Sequence, residues 1–292
     1  MSRVLAIDLG GTRFRAAVAD AGAPAEFEEL GTWSAPESLG AFATRLGGIR
    51  GLAGRVSGLG IAVPGLVEGS RCRWIPNLPW LDGVDLADLA SDITVAVGND
   101  AQFALVAEAS HGAAATLRNA VLLAVGTGIG SAVLAEGQIV RGAHGGACSF
   151  GWATADLADG GDDRSGWLER VAAGRALDAI AHGLGLADGT ALVAAARSGD
   201  AAALDALDQP AAALGAAIAS AVALLDPEAV LLAGGVAEAG DVLVPKIRAA
   251  ASRRLPRHLR DPDIRIGAFG SRAGIVGAAV AGAAGPEWWR IR

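Results

Sequence analysis

The hydrophobic positions fall into two openings of the same kind. Near the N-terminus, residues 4–7 form an apolar run, a glycine-rich turn follows, and residues 14–19 resume as a strand. Residues 120–125 form a second such run, Gly126-Thr127-Gly128-Ile129-Gly130 makes the turn, and residues 131–135 continue as a strand. After the first opening the pattern predicts a third strand over 26–33, a helix over 37–46 and a buried strand over 58–63 ending at Pro64-Gly65. A short helix over 84–89 follows, then a buried strand over 94–97 that runs into Asn99-Asp100. Residues 101–109 are helical in pattern, with Asn99 or Asp100 as the cap. After the second opening, residues 156–163 read as an exposed polar loop and 167–226 as mostly helix. A strand over 229–233 ends at Gly234-Gly235, followed by a helix over 241–254, a strand over 264–267 and a helix over 272–283. This repetition predicts an internally duplicated βββαβα-type lobe, not a short solenoid repeat, with a cleft between the lobes near Asn99. The expected division is a small N-terminal α/β lobe over 1–98, completed by the helical segment 272–292, and a large α/β lobe over 99–271.

Composition narrows the class. At 292 residues, with 52% hydrophobic and 19% charged, the chain has material for two lobes and a large core. The net charge of −7, with no run of Lys or Arg, argues against a nucleic-acid partner. Glycines and charges interrupt the apolar stretches, so no membrane span is expected, and the strand pattern begins too early for a signal peptide. Two distant cysteines, Cys72 and Cys148, make neither a disulfide framework nor a Cys-rich metal site. The expected location is the cytoplasm.

Four segments carry candidate chemistry. In Asp8-Leu9-Gly10-Gly11-Thr12-Arg13 a strand ends in an acid and turns through two glycines. Such a turn lets backbone N–H groups approach phosphate oxygens, with Thr12 adding a hydroxyl, Arg13 a charge and Asp8 a ligand for Mg²⁺. An ordinary glycine hairpin is the alternative. Gly126, Thr127 and Gly128 repeat the logic, and two such turns in matching strand–turn–strand settings are more specific than one. The chain has no G-x-x-x-x-G-K-[ST] loop; its one lysine, Lys246, is far from either turn, and the second turn lacks the third glycine of a dinucleotide fingerprint. Asn99-Asp100 stands where a buried strand meets a helix: a carboxylate there can take a hydroxyl proton while Asn99 orients a neighbouring hydroxyl, or the pair is a plain helix cap. Gly234-Gly235 allows close approach of a nucleotide, or makes a simple tight turn. Ala147-Cys148-Ser149-Phe150-Gly151 loosely echoes a nucleophile elbow but lacks the strand and helix that motif needs.

Taken in order, the chain resembles the ROK family of sugar kinases. The matching segments are Asp8-Leu9-Gly10-Gly11-Thr12, Ala62-Val63-Pro64-Gly65, Asn77-Leu78-Pro79-Trp80, Asn99-Asp100-Ala101, Gly126 to Gly130 and Gly234-Gly235-Val236. The resemblance spans essentially the whole chain. It implies an α/β, two-lobed actin-like ATPase (ribonuclease H-like) fold and transfer of the γ-phosphate of ATP, with Mg²⁺, to a hydroxyl of a small sugar or polyol. Asp100 would then be the general base, the two glycine turns and Gly234-Gly235 the nucleotide site, and Gly65, Asn77 and Asn99 sugar contacts. A homodimer is the family-level expectation. The alternative within the same resemblance is a non-catalytic sugar sensor; intact Asp8, Asn99, Asp100 and both turns point to catalysis.

One segment departs from the family pattern. Where the family has Gly-Glu-x-Gly-His, this chain has Cys148-Ser149-Phe150-Gly151-Trp152, so Ser149 replaces the sugar-binding acid and Trp152 the histidine. The family's structural zinc uses that histidine and three cysteines, whose positions are here Gly160, Asp162 and Trp167. No zinc is expected, because such a site needs about four N/S donors. Trp152 and Trp167 are expected to fill the vacated volume with apolar contact. Glu169 is retained and by resemblance still reaches a substrate hydroxyl. The substrate expected from these changes is a sugar modified near C1 or C2, a ketose or a cyclitol.

Overall fold

The structure is a computed structural model that describes residues 2–291. In chain order the strands and helices open with β1 (Arg3–Leu9), β2 (Arg13–Asp20), β3 (Phe27–Ser34), α1 (Leu39–Ala53), β4 (Gly58–Val63), β5 (Leu66–Glu68), β6 (Arg71–Trp74), β7 (Thr94–Asn99) and α2 (Asp100–His111). They continue with β8 (Ala120–Val125), β9 (Ile129–Ala135), β10 (Gln138–Ile139), α3 (Trp167–Ala172), α4 (Gly174–Gly183), α5 (Gly189–Arg197), α6 (Ala201–Ala206) and α7 (Asp208–Leu225). The remainder is β11 (Ala229–Gly234), α8 (Gly235–Glu238), α9 (Gly240–Ser252), β12 (Ile264–Ile266) and α10 (Ala273–Ala284).

Two five-stranded sheets bear out the duplication. Their orders are β3-β2-β1-β4-β7 and β10-β9-β8-β11-β12. In the first, β1 pairs antiparallel with β2 and parallel with β4, and β4 pairs parallel with β7. In the second, β9 and β10 are antiparallel, while β11 pairs parallel with β8 and β12. The chain divides into two compact units: residues 1–118, 133–147 and 271–292 form the first, and 119–132 with 148–270 the second.

In the first unit every residue of β4, Gly-Leu-Gly-Ile-Ala-Val, is buried. That continuous apolar run is what a strand covered on both faces requires. On one face α1 contributes Phe42, Leu46, Ile49 and Ala53, one stripe at helical spacing. The helix was expected to stop at residue 46, before Gly47-Gly48. It runs on to Ala53 because Ile49 and Ala53 continue the buried stripe, against a glycine cost of about 1 kcal/mol each. On the other face α10 lies directly on β4. A methyl added to Gly58 would meet the Gly282 carbonyl, one added to Gly60 the Ala278 carbonyl, and one added to Gly277 the Phe103 carbonyl of α2. Side chains at these positions would hold the two backbones apart.

Two further expectations need correction. Residues 66–74, left without structure by the sequence pattern, form the antiparallel hairpin β5–β6 about Gly69, whose φ is 64°. Residues 201–225 are, against expectation, apolar and long enough to qualify by composition as a membrane span. An 18-residue stretch of that segment is 67% buried within the protein, so α7 is a core helix.

Candidate active site

The first unit holds Asp8, Gly10, Gly11, Thr12, Arg13, Gly65, Asn77, Asn99 and Asp100. Asp8 lies on β1, opposite Arg15 on β2. Arg15 Nη2 contacts Asp8 Oδ2 at 2.5 Å and donates to the Ser271 carbonyl at 2.7 Å. Gly274, at the start of α10, presses on the same carboxylate: a methyl there would lie 3.1 Å from Oδ2. The partial positive charge of a helix N-terminus thus lies beside the carboxylate together with Arg15. Beyond Asp8 the chain turns by a hydrogen bond from Gly10 N to Arg13 O (2.8 Å), and Ala35 N donates to Thr12 O (3.0 Å). Among the described residues the N–H groups of Gly11 and Thr12 have no protein acceptor. Gly11 must be small because Asn77 Cβ would come within 2.9 Å of an added methyl. An open groove of about 780 Å³, lined by Thr12, Arg13, Thr32, Trp33, Ser34 and Arg45, lies beside this turn.

Asn99, and not Asp100, caps α2. Its Oδ1 accepts from Ala101 N (2.9 Å), Asn99 N donates to Gln102 Oε1 (3.3 Å), and Nδ2 donates to Gly65 O (3.0 Å). This capping box, with the bond to Gly65, ties the strand end to the start of α2. Asp100 is the first residue of α2, and its Oδ1 accepts from Ala101 N at 2.8 Å. The side chain keeps solvent-accessible surface, yet it is densely surrounded by protein atoms. That partial desolvation raises its pKa to about 6, and the Asp8 carboxylate pushes in the same direction.

The second unit holds Gly126, Thr127, Gly128, Ser149, Trp152, Glu169, Gly234 and Gly235. Its turn closes by a bond from Gly126 N to Gly128 O (2.9 Å). As in the first turn, two successive amides, those of Thr127 and Gly128, have no protein acceptor among the described residues. Gly234 (φ 74°) backs onto Val125 O, 2.5 Å from where a methyl would lie, and exposed Gly235 opens α8.

Ser149 and Trp152 flank a short 3-10 turn, Phe150–Trp152. Ser131 on β9, which the sequence pattern did not single out, pins this segment. Its Oγ donates to Cys148 O (2.6 Å) and accepts from Phe150 N (2.8 Å). Cys148 adopts φ 63°, a conformation that favours glycine. Trp152 is 45% exposed. Asp162, at one former zinc position, uses Oδ1 to accept from Arg164 N and Ser165 N.

With this geometry in place, a sequence profile described as the ROK family matches residues 4–282. The chain belongs to the ROK family. This ROK chain is 30% identical over 306 residues to a glucokinase of Halalkalibacterium halodurans, covering 93% of the chain and 92% of the relative. It is 31% identical over 260 residues to a kanosamine kinase of Amycolatopsis mediterranei (83% and 84% covered). Among solved structures it is similar to a ROK family glucokinase from Streptomyces griseus in complex with glucose and AMPPNP. There the TM-score is 0.80 at 25% identity, with 97% and 100% of the two chains covered. The two-lobed actin-like ATPase fold of the ROK sugar kinases is therefore the fold of this chain.

Proposed function

We propose that Asp100 is the general base of an ATP-dependent sugar kinase whose two glycine turns hold the phosphates. ATP-dependent phosphorylation of a sugar hydroxyl accords with the family and with relatives that are glucokinases and a kanosamine kinase. The pair of turns carries the assignment of roles. Each leaves two successive amide donors without a protein acceptor, an anion-seeking arrangement in a chain of net charge −7. Gly234-Gly235, with backbone exposed at Gly235, lies against the nucleoside end.

Asp100 has Oδ1 held by Ala101 N and Oδ2 available to accept the hydroxyl proton as the phosphoryl group transfers in line. Its weakened acidity matches a base that works near neutrality while remaining ionised above pH about 6. Asn99, fixed by its cap, holds its side-chain amide beside Asp100 where a sugar hydroxyl would bind, and Gly65 and Asn77 line the approach. Asp8 fits Mg²⁺: its Oδ1 is a hard oxygen donor with no hydrogen bond among the described residues, close to the first turn's amides that have no acceptor among them. The ion would neutralise charge on the phosphates of ATP. Zinc does not fit. Of its four former positions, Trp152, Gly160 and Trp167 offer no ligand, and the Asp162 carboxylate is engaged by local amides. The same reading makes the protein a cytoplasmic homodimer.

The substrate end differs from that of a dedicated glucokinase. Ser149 lacks the charge of the family acid, and Trp152 presents an exposed aromatic face. We assign a sugar modified near C1 or C2, a ketose or a cyclitol in preference to plain glucose. ADP release across a panel of hexoses, amino sugars, ketoses and cyclitols tests both statements. Asp100→Asn is expected to lower kcat by about 10²–10⁴ with AMPPNP affinity retained. Full activity of that variant removes the assignment, and wild-type preference for glucose removes the substrate shift. Loss of folding is not the expected cause. A raised carboxyl pKa costs folded-state stability as pH rises from the ordinary carboxylate value through about 6. At pH 7 the asparagine variant should therefore melt no lower than the wild type.

A further inference from the structure

Two aromatic rings stand behind the strand end that carries Asn99 and Asp100. β7 is an edge strand of its sheet, paired with β4 so that Ala62 lies opposite Gly98 and Val63 opposite Asn99. Gly98, directly before the pair, is buried and has no side chain to hold it in place. The space where a side chain would stand is taken. A methyl on Gly98 would lie 2.3 Å from Phe103 Cε1 and 3.0 Å from Trp288 Cζ2. Phe103 on α2 and Trp288, just beyond α10, meet edge to face with ring centroids 4.9 Å apart, and both are buried.

Trp288 is itself held from both directions along the chain. Its N–H donates to Gly285 O (3.1 Å), and Gly285 packs on the start of β7, where a methyl on it would lie 3.0 Å from Thr94 Cγ2. Beyond it, Ile139 N of β10 donates to Trp289 O (2.8 Å) and Ile291 N donates to Gly137 O (2.9 Å). The guanidinium groups of Arg141 and Arg290 each lie 4.6 Å from the centroid of the Trp289 ring.

We propose that Trp288 is a positioning residue: with Phe103 it fixes the Gly98 backbone and so sets where Asp100 and Asn99 meet the sugar. The proposal rests on the reading of Asp100 as the base. A glycine beside that pair would be a hinge if nothing packed against it. A base must stay within hydrogen-bond reach of its hydroxyl, and a displacement of about 1 Å costs about 10²-fold. The first phosphate turn joins β1 to β2, across β4 from these rings, so nucleotide binding should not depend on them.

Kinetics with the sugar turned over fastest, set beside AMPPNP titration and thermal melting, separate positioning from general stability. Trp288→Ala should lower kcat about ten- to hundredfold and raise the sugar KM, with AMPPNP affinity within about twofold of wild type. Trp288→Phe restores a ring against Phe103 and should recover most of the kcat. Leu46→Ala, which opens a cavity on the α1 side of the sheet, should melt lower and yet keep kcat within about twofold while folded. Should Trp288→Ala not fold, Trp288→Leu carries the test: it keeps apolar volume, loses the ring and should still lower kcat about threefold or more. Wild-type kcat and sugar KM in the folded Trp288 variant overturn the proposal, as does an equal loss of kcat in Leu46→Ala. Full activity of Asp100→Asn overturns the reading of the base instead.

Discussion

Asp8, Arg15 and Asp100 form a small electrostatic chain on the first unit, and its sign can be tested. Asp100 is raised to about 6 first by dense surroundings and then by Asp8, whose charge Arg15 offsets. If ionised Asp100 is the base, kcat/KM should fall as pH drops through about 6. Arg15→Ala exposes Asp100 to the full Asp8 charge, so the acid limb should move to higher pH. Asp8→Asn removes that charge and should move it lower, even though overall activity also drops. Movement of both variants in one direction, read from pH–rate profiles, would contradict the coupling. Asp8, Asp100 and the glycine turns were legible in the sequence because strand ends and glycine spacing advertise them. Arg15 and Ser131 were not. Arg15 acts through Asp8 and Ser271, 7 and 256 positions away, and Ser131 through Cys148, 17 away, and no local pattern distinguishes them from a surface arginine or a strand serine. Glu169 was legible as a residue, and the bond its Oε2 accepts from Ile129 N (3.0 Å) was not.

Elements are legible wherever apolar periodicity is long. The strands at 58–63 and 120–125 and the helix after Asn99 stand as expected, because burial on one or two faces writes itself into the residue pattern. The β5–β6 hairpin was missed because three- and four-residue strands carrying Glu68, Arg71 and Arg73 leave no such trace. The glycines of β4 and α10 carry a stronger statement than their helix and strand propensities. Gly60→Ala would drive a methyl into the Ala278 carbonyl and push α10 off the sheet. We expect a loss of about 3 kcal/mol or more in urea unfolding, against about 1 kcal/mol for Gly47→Ala, where a methyl meets open space, and with the opposite sign, since alanine favours the helix.

At the scale of the whole molecule, the duplication was legible because each opening repeats the same order of apolar run, glycine turn and strand. The contacts of α10 with β4 and with α2 join residues more than 150 positions apart. Deleting residues 271–292 removes α10 and uncovers a glycine-lined face of β4 together with part of α2. The shortened chain should lose cooperative unfolding of its first unit while the helices of the second persist, as hydrogen exchange along the chain would report. Survival of full protection in β1 and β4 would show that α10 is dispensable.

The same arrangement sets a timetable for biosynthesis. β1 and β4 leave the ribosome early, but the helix that covers them is made only after the whole of the second unit. At ordinary translation speeds, that leaves the first sheet half-covered for on the order of ten seconds or more. The unit made first is the last to be finished, and during that interval its bare glycine face is open to chaperones and to neighbouring nascent chains.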